Sequence, residues 1–107
     1  MRLQDVARTI RSKNAGSFMI TVEIIFNESK YYNYIKENSL ITREVIAEAY
    51  NLPVEQVTDF CYYDAGMGIK ANFRRKIPSG GPGESDVYGC QQYAPLLKID
   101  FPNWNLQ

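Results

Sequence analysis

The chain has 107 residues and a mass of 12.3 kDa, enough for one domain with one hydrophobic core. Twelve basic residues balance twelve acidic ones, and a formal net charge of zero excludes a dedicated nucleic-acid or membrane-surface binder, which needs a positive excess to hold phosphates. The absence of histidine excludes Ser-His-Asp and Cys-His nucleophile systems and the common zinc ligand sets.

Leu3, Val6, Ala7 and Ile10 recur at helical spacing, so residues 3 to 11 are expected to form a short amphipathic helix that stops at Gly16. Residues 17–26 change to a period of two. Phe18, Ile20, Val22, Ile24 and Phe26 alternate with Met19, Thr21, Glu23 and Ile25, the pattern of a strand with one buried face. Asn27 is placed to cap a helix with Glu28 in its first turn, a face made of Tyr31, Tyr34 and Ile35, and an end at Asn38. Thr42 caps a second helix with Ile41, Val45, Ile46 and Ala49 as its apolar stripe, closed by Asn51 and Pro53.

Two strands follow, Val57 to Asp64 and Met67 to Lys76. The second alternates Met67, Ile69, Ala71 and Phe73 with Gly68, Lys70, Asn72 and Arg74. The short link Asp64-Ala65-Gly66 makes them antiparallel neighbours. Pro78-Ser79-Gly80-Gly81-Pro82-Gly83 continues neither a strand nor a helix, and residues 84–95 read equally as a capped turn or an ordered loop. Leu97, Ile99 and Phe101 alternate with Lys98 and Asp100 as a last strand. The tail from Pro102 carries only Trp104 and Leu106 as apolar residues, and is expected to fray or to dock on a partner. The order predicts one α+β domain over residues 1–107. Its plan is a ferredoxin-like split β-α-β, with a four-stranded antiparallel sheet, helices on one face and an extra N-terminal helix.

The two polar, glycine-containing stretches carry a resemblance. Leu3-Gln4-Asp5-Val6-Ala7-Arg8-Thr9-Ile10-Arg11-Ser12-Lys13-Asn14-Ala15-Gly16 and the segment from Pro78 through Asp86-Val87-Tyr88-Gly89-Cys90-Gln91-Gln92-Tyr93 to Pro95 resemble a small bacterial domain-of-unknown-function family, numbered 4387, whose members are about this long. Ser17 stands where that family often has proline, and Tyr93 where it often has histidine. The chain also resembles the C-terminal ferredoxin-like module of the acyclic terpene utilisation (AtuA-like) family. Leu3, Asp5, Ala7, Arg11, Ser12 and Gly16 fit that module's opening motif, and Ala71, Asn72 and Phe73 fit its A-x-N-F strand. Small-family members are often encoded beside, or fused to, AtuA-like proteins. The resemblance therefore implies a small subunit or accessory domain working with a large AtuA-like catalytic protein on small organic acids or acyl derivatives.

Arg11, Ser12, Lys13 and Asn14 crowd two cations, a hydroxyl and an amide before a glycine. Such donors suit a carboxylate, a phosphate or a partner's acidic group, or else tie down their own loop. Ser79, Gly80 and Gly81 can offer backbone N–H groups as an anion nest, although no P-loop lysine follows, and the alternative is a surface connection. Asp86 and Tyr88 are the candidate acid and base, with Gln91 and Gln92 as amide donors; the alternative is a set of loop staples. Glu23 and Thr21 mark the wet side of the first strand, where Met19 and Ile25 add an apolar contribution that fits contact with another chain. Eight tyrosines also fit an interface.

Cys61 and Cys90, with 28 residues between them, form no metal or disulfide framework, so no metal or cofactor is expected. No apolar run approaches the roughly 20 residues of a membrane span, and the N-terminus lacks the order of a signal peptide. A cytoplasmic protein is expected. Three functions remain in view: the accessory subunit, a stand-alone lyase or isomerase, and a homo-oligomeric small-anion-binding module.

Overall fold

Strict alternation in the first predicted strand becomes the centre of the molecule. In the computed structural model, which describes residues 1–16, 18–74 and 94–106, this strand spans Met19–Phe26 and is labelled β2. Ile20, Val22, Ile24 and Phe26 are at most 1% exposed, whereas Met19, Thr21, Glu23 and Ile25 are half-buried on the opposite face. Phe18, expected in the buried set, lies before the strand and is 54% exposed.

The N-terminal segment departs from expectation. Only Leu3–Val6 is helical (α1), and Ala7–Gly16 is a ten-residue strand, β1, antiparallel to β2. The helical spacing of Leu3, Val6 and Ala7 is satisfied by that single turn, which buries Leu3 and Val6. Beyond it Ile10, Ser12 and Asn14 pair with Ile24, Val22 and Ile20, and Arg11 and Lys13 pair with Glu23 and Thr21. Satisfying the backbone groups along the flank of β2 overrides a weak local helix preference. The Arg11–Gly16 motif therefore lies on a strand rather than at a helix end.

Two helices follow, α2 (Ser29–Glu37) and α3 (Arg43–Ala49), then β3 (Val57–Tyr63) and β4 (Gly68–Arg74). Asn27 does not cap α2. Glu28 occupies the cap position and gives no side-chain bond. Thr42 caps α3 as expected, its hydroxyl accepting from the Val45 N–H at 3.2 Å. Asn51 closes α3 in the left-handed region at φ 55°. Tyr32 and Ile35 are the buried residues of α2, so Ile35 of the expected face is buried as predicted, while Tyr32 rather than Tyr31 or Tyr34 joins it.

Among the described residues the sheet has four strands in the order β1-β2-β4-β3, all antiparallel. The class is α+β, with an open sheet and a few helices. The chain crosses from β2 through both helices to β3, and β4 lies between those two strands. The fourth strand is the N-terminal β1, so the ferredoxin-like order is not confirmed. The predicted last strand is instead a 3-10 turn over Ala94–Lys98 and a single bridge from Asp100 to Arg2. Leu96 and Ile99 are buried at a spacing of three, which suits that turn.

Helices and C-terminal segment close one core on one side of the sheet, where Phe26 meets Tyr32 and Tyr50 meets Phe73 at ring separations of 6.0 and 4.3 Å. The tail docks on its own chain. Trp104 packs against Tyr34 at 4.6 Å and Phe101 at 5.6 Å, and the Asn105 N–H donates to the Tyr34 hydroxyl.

Ile24 is 1% exposed beneath the helices. Ile24→Asp places an unpaired charge there at a cost of several kcal/mol, roughly the whole stability of a small domain. Its circular dichroism melt is expected to lose the cooperative transition; a soluble variant with a cooperative melt would contradict the assigned register.

Candidate functional site

With the helices gathered on one side, no described element covers the other face of the sheet. Cross-strand pairing puts Arg11 and Lys13 of β1, Thr21 and Glu23 of β2, Lys70 and Asn72 of β4, and Asp59, Cys61 and Tyr63 of β3 on that face. Arg11, Ser12, Lys13, Thr21, Glu23, Lys70 and Asn72 line a depression of about 410 Å³.

Glu23 is its centre. The Arg11 guanidinium donates from Nε to Oε1 at 2.6 Å, and a terminal nitrogen of the same group reaches that oxygen. The Tyr63 hydroxyl donates to Oε2 at 3.0 Å, and the Lys70 ammonium stands 3.8 Å from it. Burial alone raises the Glu23 carboxyl, but the hydrogen bonds from Tyr63 and Arg11, with the charges of Arg11 and Lys70, outweigh it and hold the group below its ordinary value. Burial and the bond to Glu23 push the Tyr63 phenol up to about 12. The pair is fixed with the phenol as donor and the carboxylate as acceptor.

Tyr63 reaches Glu23 across β4 because Gly68 leaves room for its ring. A Cβ on Gly68 would stand 2.7 Å from the Tyr63 Cζ and hydroxyl and 2.8 Å from the Ile24 carbonyl. Beside this cluster, the Thr21 hydroxyl donates to Asn72 Oδ1 at 2.6 Å and Asn72 Nδ2 donates to Asp59 at 3.1 Å. Lys13 has no ion-pair partner among the described residues.

The predicted site residues are thus divided. Arg11 and Lys13 share the open face. Ser12 is 6% exposed and pairs with Val22, on the helix side, and half-buried Asn14 pairs with Ile20 on that same side. Ser79, Gly80, Gly81, Asp86, Tyr88, Gln91 and Gln92 lie outside the described residues, as does Tyr93. Lys70, Asn72 and Tyr63 are not among the site residues predicted from the sequence, although Asn72 falls in the A-x-N-F resemblance. The alternation of residues 67–76 put Lys70 and Asn72 on one side, but only the register brings them to Glu23. No group of three or more His, Cys, Asp or Glu among the described residues is placed to hold a metal ion, and no described helix is long and apolar enough to cross a membrane.

Among the described residues, fold and site define an α+β domain with an open four-stranded antiparallel sheet and a polar, charge-ordered sheet face. The family profile for a domain of unknown function, DUF4387, matches residues 3–100, and the chain belongs to that family. No match is found among curated proteins or solved structures.

Two outcomes follow from the Glu23 cluster. Gly68→Ala forces Tyr63 off Glu23 or moves the β2 backbone, and is expected to lower stability by about 1–3 kcal/mol in a thermal melt; an unchanged melting temperature would contradict the close approach. Because the Glu23 carboxyl is lowered in the folded state, its contribution is complete above pH 4.5 and is lost as pH falls through the lower folded value. Wild type should therefore lose stability more steeply than Glu23→Gln below pH 4.5. The raised phenol works in the opposite sense, so Tyr63→Phe should flatten the loss of stability between pH 10 and about 12. Urea titrations across pH read both limbs.

Proposed function

We propose that this chain is a small accessory subunit that contacts a larger catalytic protein through its open sheet face. The supporting observation is the one-sidedness of the sheet among the described residues. Helices and the C-terminal segment cover one face, while the other presents an ordered polar cluster flanked by the half-buried Met19 and Ile25. A depression walled by fixed charges favours partner choice and register more than chemistry. The proton affinities point the same way: Glu23 is held down and Tyr63 is pushed up to about 12, so neither exchanges a proton near neutrality, where a general acid or base works best.

Resemblance of Leu3 to Gly16 and of Ala71-Asn72-Phe73 to the AtuA-like C-terminal module supports a large AtuA-like protein as the partner, and small organic acids or acyl derivatives as the shared metabolism. The chain in this reading is non-catalytic, or catalytic only jointly. Its sheet face would present Arg11 and Lys13 to the partner, and the ferredoxin-like arrangement is the finer form of its fold.

Tagged wild-type chain and Arg11→Ala, captured from the native source and followed by mass identification, test the reading. A larger polypeptide should co-elute in stoichiometric amount with wild type and fall about tenfold with Arg11→Ala. The Arg11 side chain is 65% exposed, so the variant's melting temperature should drop by no more than about 5 °C. A free chain that turns over small acids unaided, or a partner retained in full by Arg11→Ala, would overturn it.

A further inference from the structure

Ionic side chains are unevenly spread over this neutral chain. Strand positions on the open face hold Arg11 and Lys13 of β1, Lys70 and Arg74 of β4, Glu23 of β2 and Asp59 of β3. Four cations against two carboxylates leave that face with two positive charges in excess. Arg8 falls at the β1 irregularity between Ala7 and Thr9 and is counted with neither face, and Asp64 turns to α2, where Tyr32 and Lys36 donate to it. The helical stretch, residues 28–56, has the reverse balance, with three cations against five carboxylates. The described domain is thus polarised from a basic sheet face to an acidic helical layer.

The register gathers the excess. Arg11 and Glu23 neutralise one another, and Asp59 accepts from the neutral groups of Asn72 and Thr58. Lys13 of β1 lies opposite Thr21, and Arg74 of β4 opposite Met19; both are exposed, and neither has an ion-pair partner among the described residues. Lys70, also exposed, is only loosely paired with Glu23 at 3.8 Å. These three cations border β2 from Met19 to Glu23 on both flanks, and Asp59 stands two strands away on β3. Apolar surface adjoins them at the half-buried Met19 and the exposed Phe18. A second copy laid face to face would bring two positive excesses together, which like charges oppose. A nucleic-acid backbone is negative throughout, so Glu23 and Asp59 repel it, and the acidic helical layer offers it nothing further. A protein surface can supply carboxylates for the cations, a donor for Asp59 and an apolar side chain for Phe18 and Met19 together.

We infer that the larger partner meets this face with an acidic patch, its carboxylates facing Lys13, Lys70 and Arg74 and an apolar side chain lying against Phe18 and Met19. The inference rests on the proposed accessory-subunit reading and supplies the chemistry of the partner's contact surface. It also sets an orientation: in the field of an acidic patch the sheet face is drawn inward and the helical layer is turned away, so charge selects the docking pose before contact.

Fluorescence anisotropy of a labelled oligoglutamate peptide, titrated with the full chain at low ionic strength, tests it. The peptide should bind, and the affinity should fall as salt is raised, since exposed charges are screened. Lys13→Glu and Arg74→Glu, at exposed positions that should leave the thermal melt nearly unchanged, should each weaken binding about tenfold. Arg43→Glu, the same reversal on α3, should leave it unchanged. The inference is overturned by a silent titration, by an equal loss in Arg43→Glu, or by an oligothymidylate of the same length binding at least as tightly, which would make nucleic acid the occupant. Salt-sensitive self-association of the chain alone, abolished by Arg74→Glu, would assign the face to the helical layer of further copies and overturn it too. Peptide binding that follows the face variants, without co-elution of a larger chain, defeats the accessory-subunit reading alone. Co-elution with a silent peptide titration defeats the acidic patch alone.

Discussion

Strand β2 separates two environments, and each of its residues is suited to only one of them. Ile20, Val22, Ile24 and Phe26 complete the core under the helices, while Thr21 and Glu23 hold the polar network on the other side. A slip of one residue in register would drive Glu23 into the core and expose its apolar neighbours, since side chains alternate with a period of two. The apolar face and the charged face therefore oppose the same error. A single alternating segment places β1 and β4 on its two flanks, and with them every residue of the open depression.

Glu23 links the whole sheet. From β2 it receives Arg11 of β1, Lys70 of β4 and, across β4, Tyr63 of β3, so one carboxylate contacts all three other strands. Arg11 and Lys70 remain well exposed, and salt screens such pairs, so their weight in stability is modest. Their effect is arrangement: Glu23 orients the Arg11 guanidinium and the Tyr63 hydroxyl on the sheet face. Gly68 is part of the same device, because its missing side chain lets the Tyr63 ring lie across the strand.

Periodicity in the sequence revealed the core of the fold where it was strict. β2, the β3–β4 pair and the two helices follow from it, and Thr42 and Asn51 mark the ends of α3 by their chemistry. It misled where one pattern served two structures. Leu3, Val6, Ala7 and Ile10 fit a helix, yet only one turn forms, because the open flank of β2 recruits Ala7–Gly16 as its neighbour. Leu97, Ile99 and Phe101 fit a strand, but the backbone around Ile99 bonds to the N-terminal turn instead, with Leu3 N–H donating to Ile99 C=O at 3.0 Å. The site was half legible. Arg11 and Lys13 stood out as crowded cations, whereas Lys70, Asn72 and Tyr63 acquire meaning only from a pairing register that no local signal encodes.

The docked C-terminal tail carries the chain's only tryptophan. Trp104 lies among Tyr31, Tyr34 and Phe101, its indole N–H buried without an acceptor among the described residues. An indole in so dry a setting emits at shorter wavelength than one in water, and tyrosines this near pass it their excitation. The protein thus contains a native fluorophore that reports attachment of its C-terminal tail to α2.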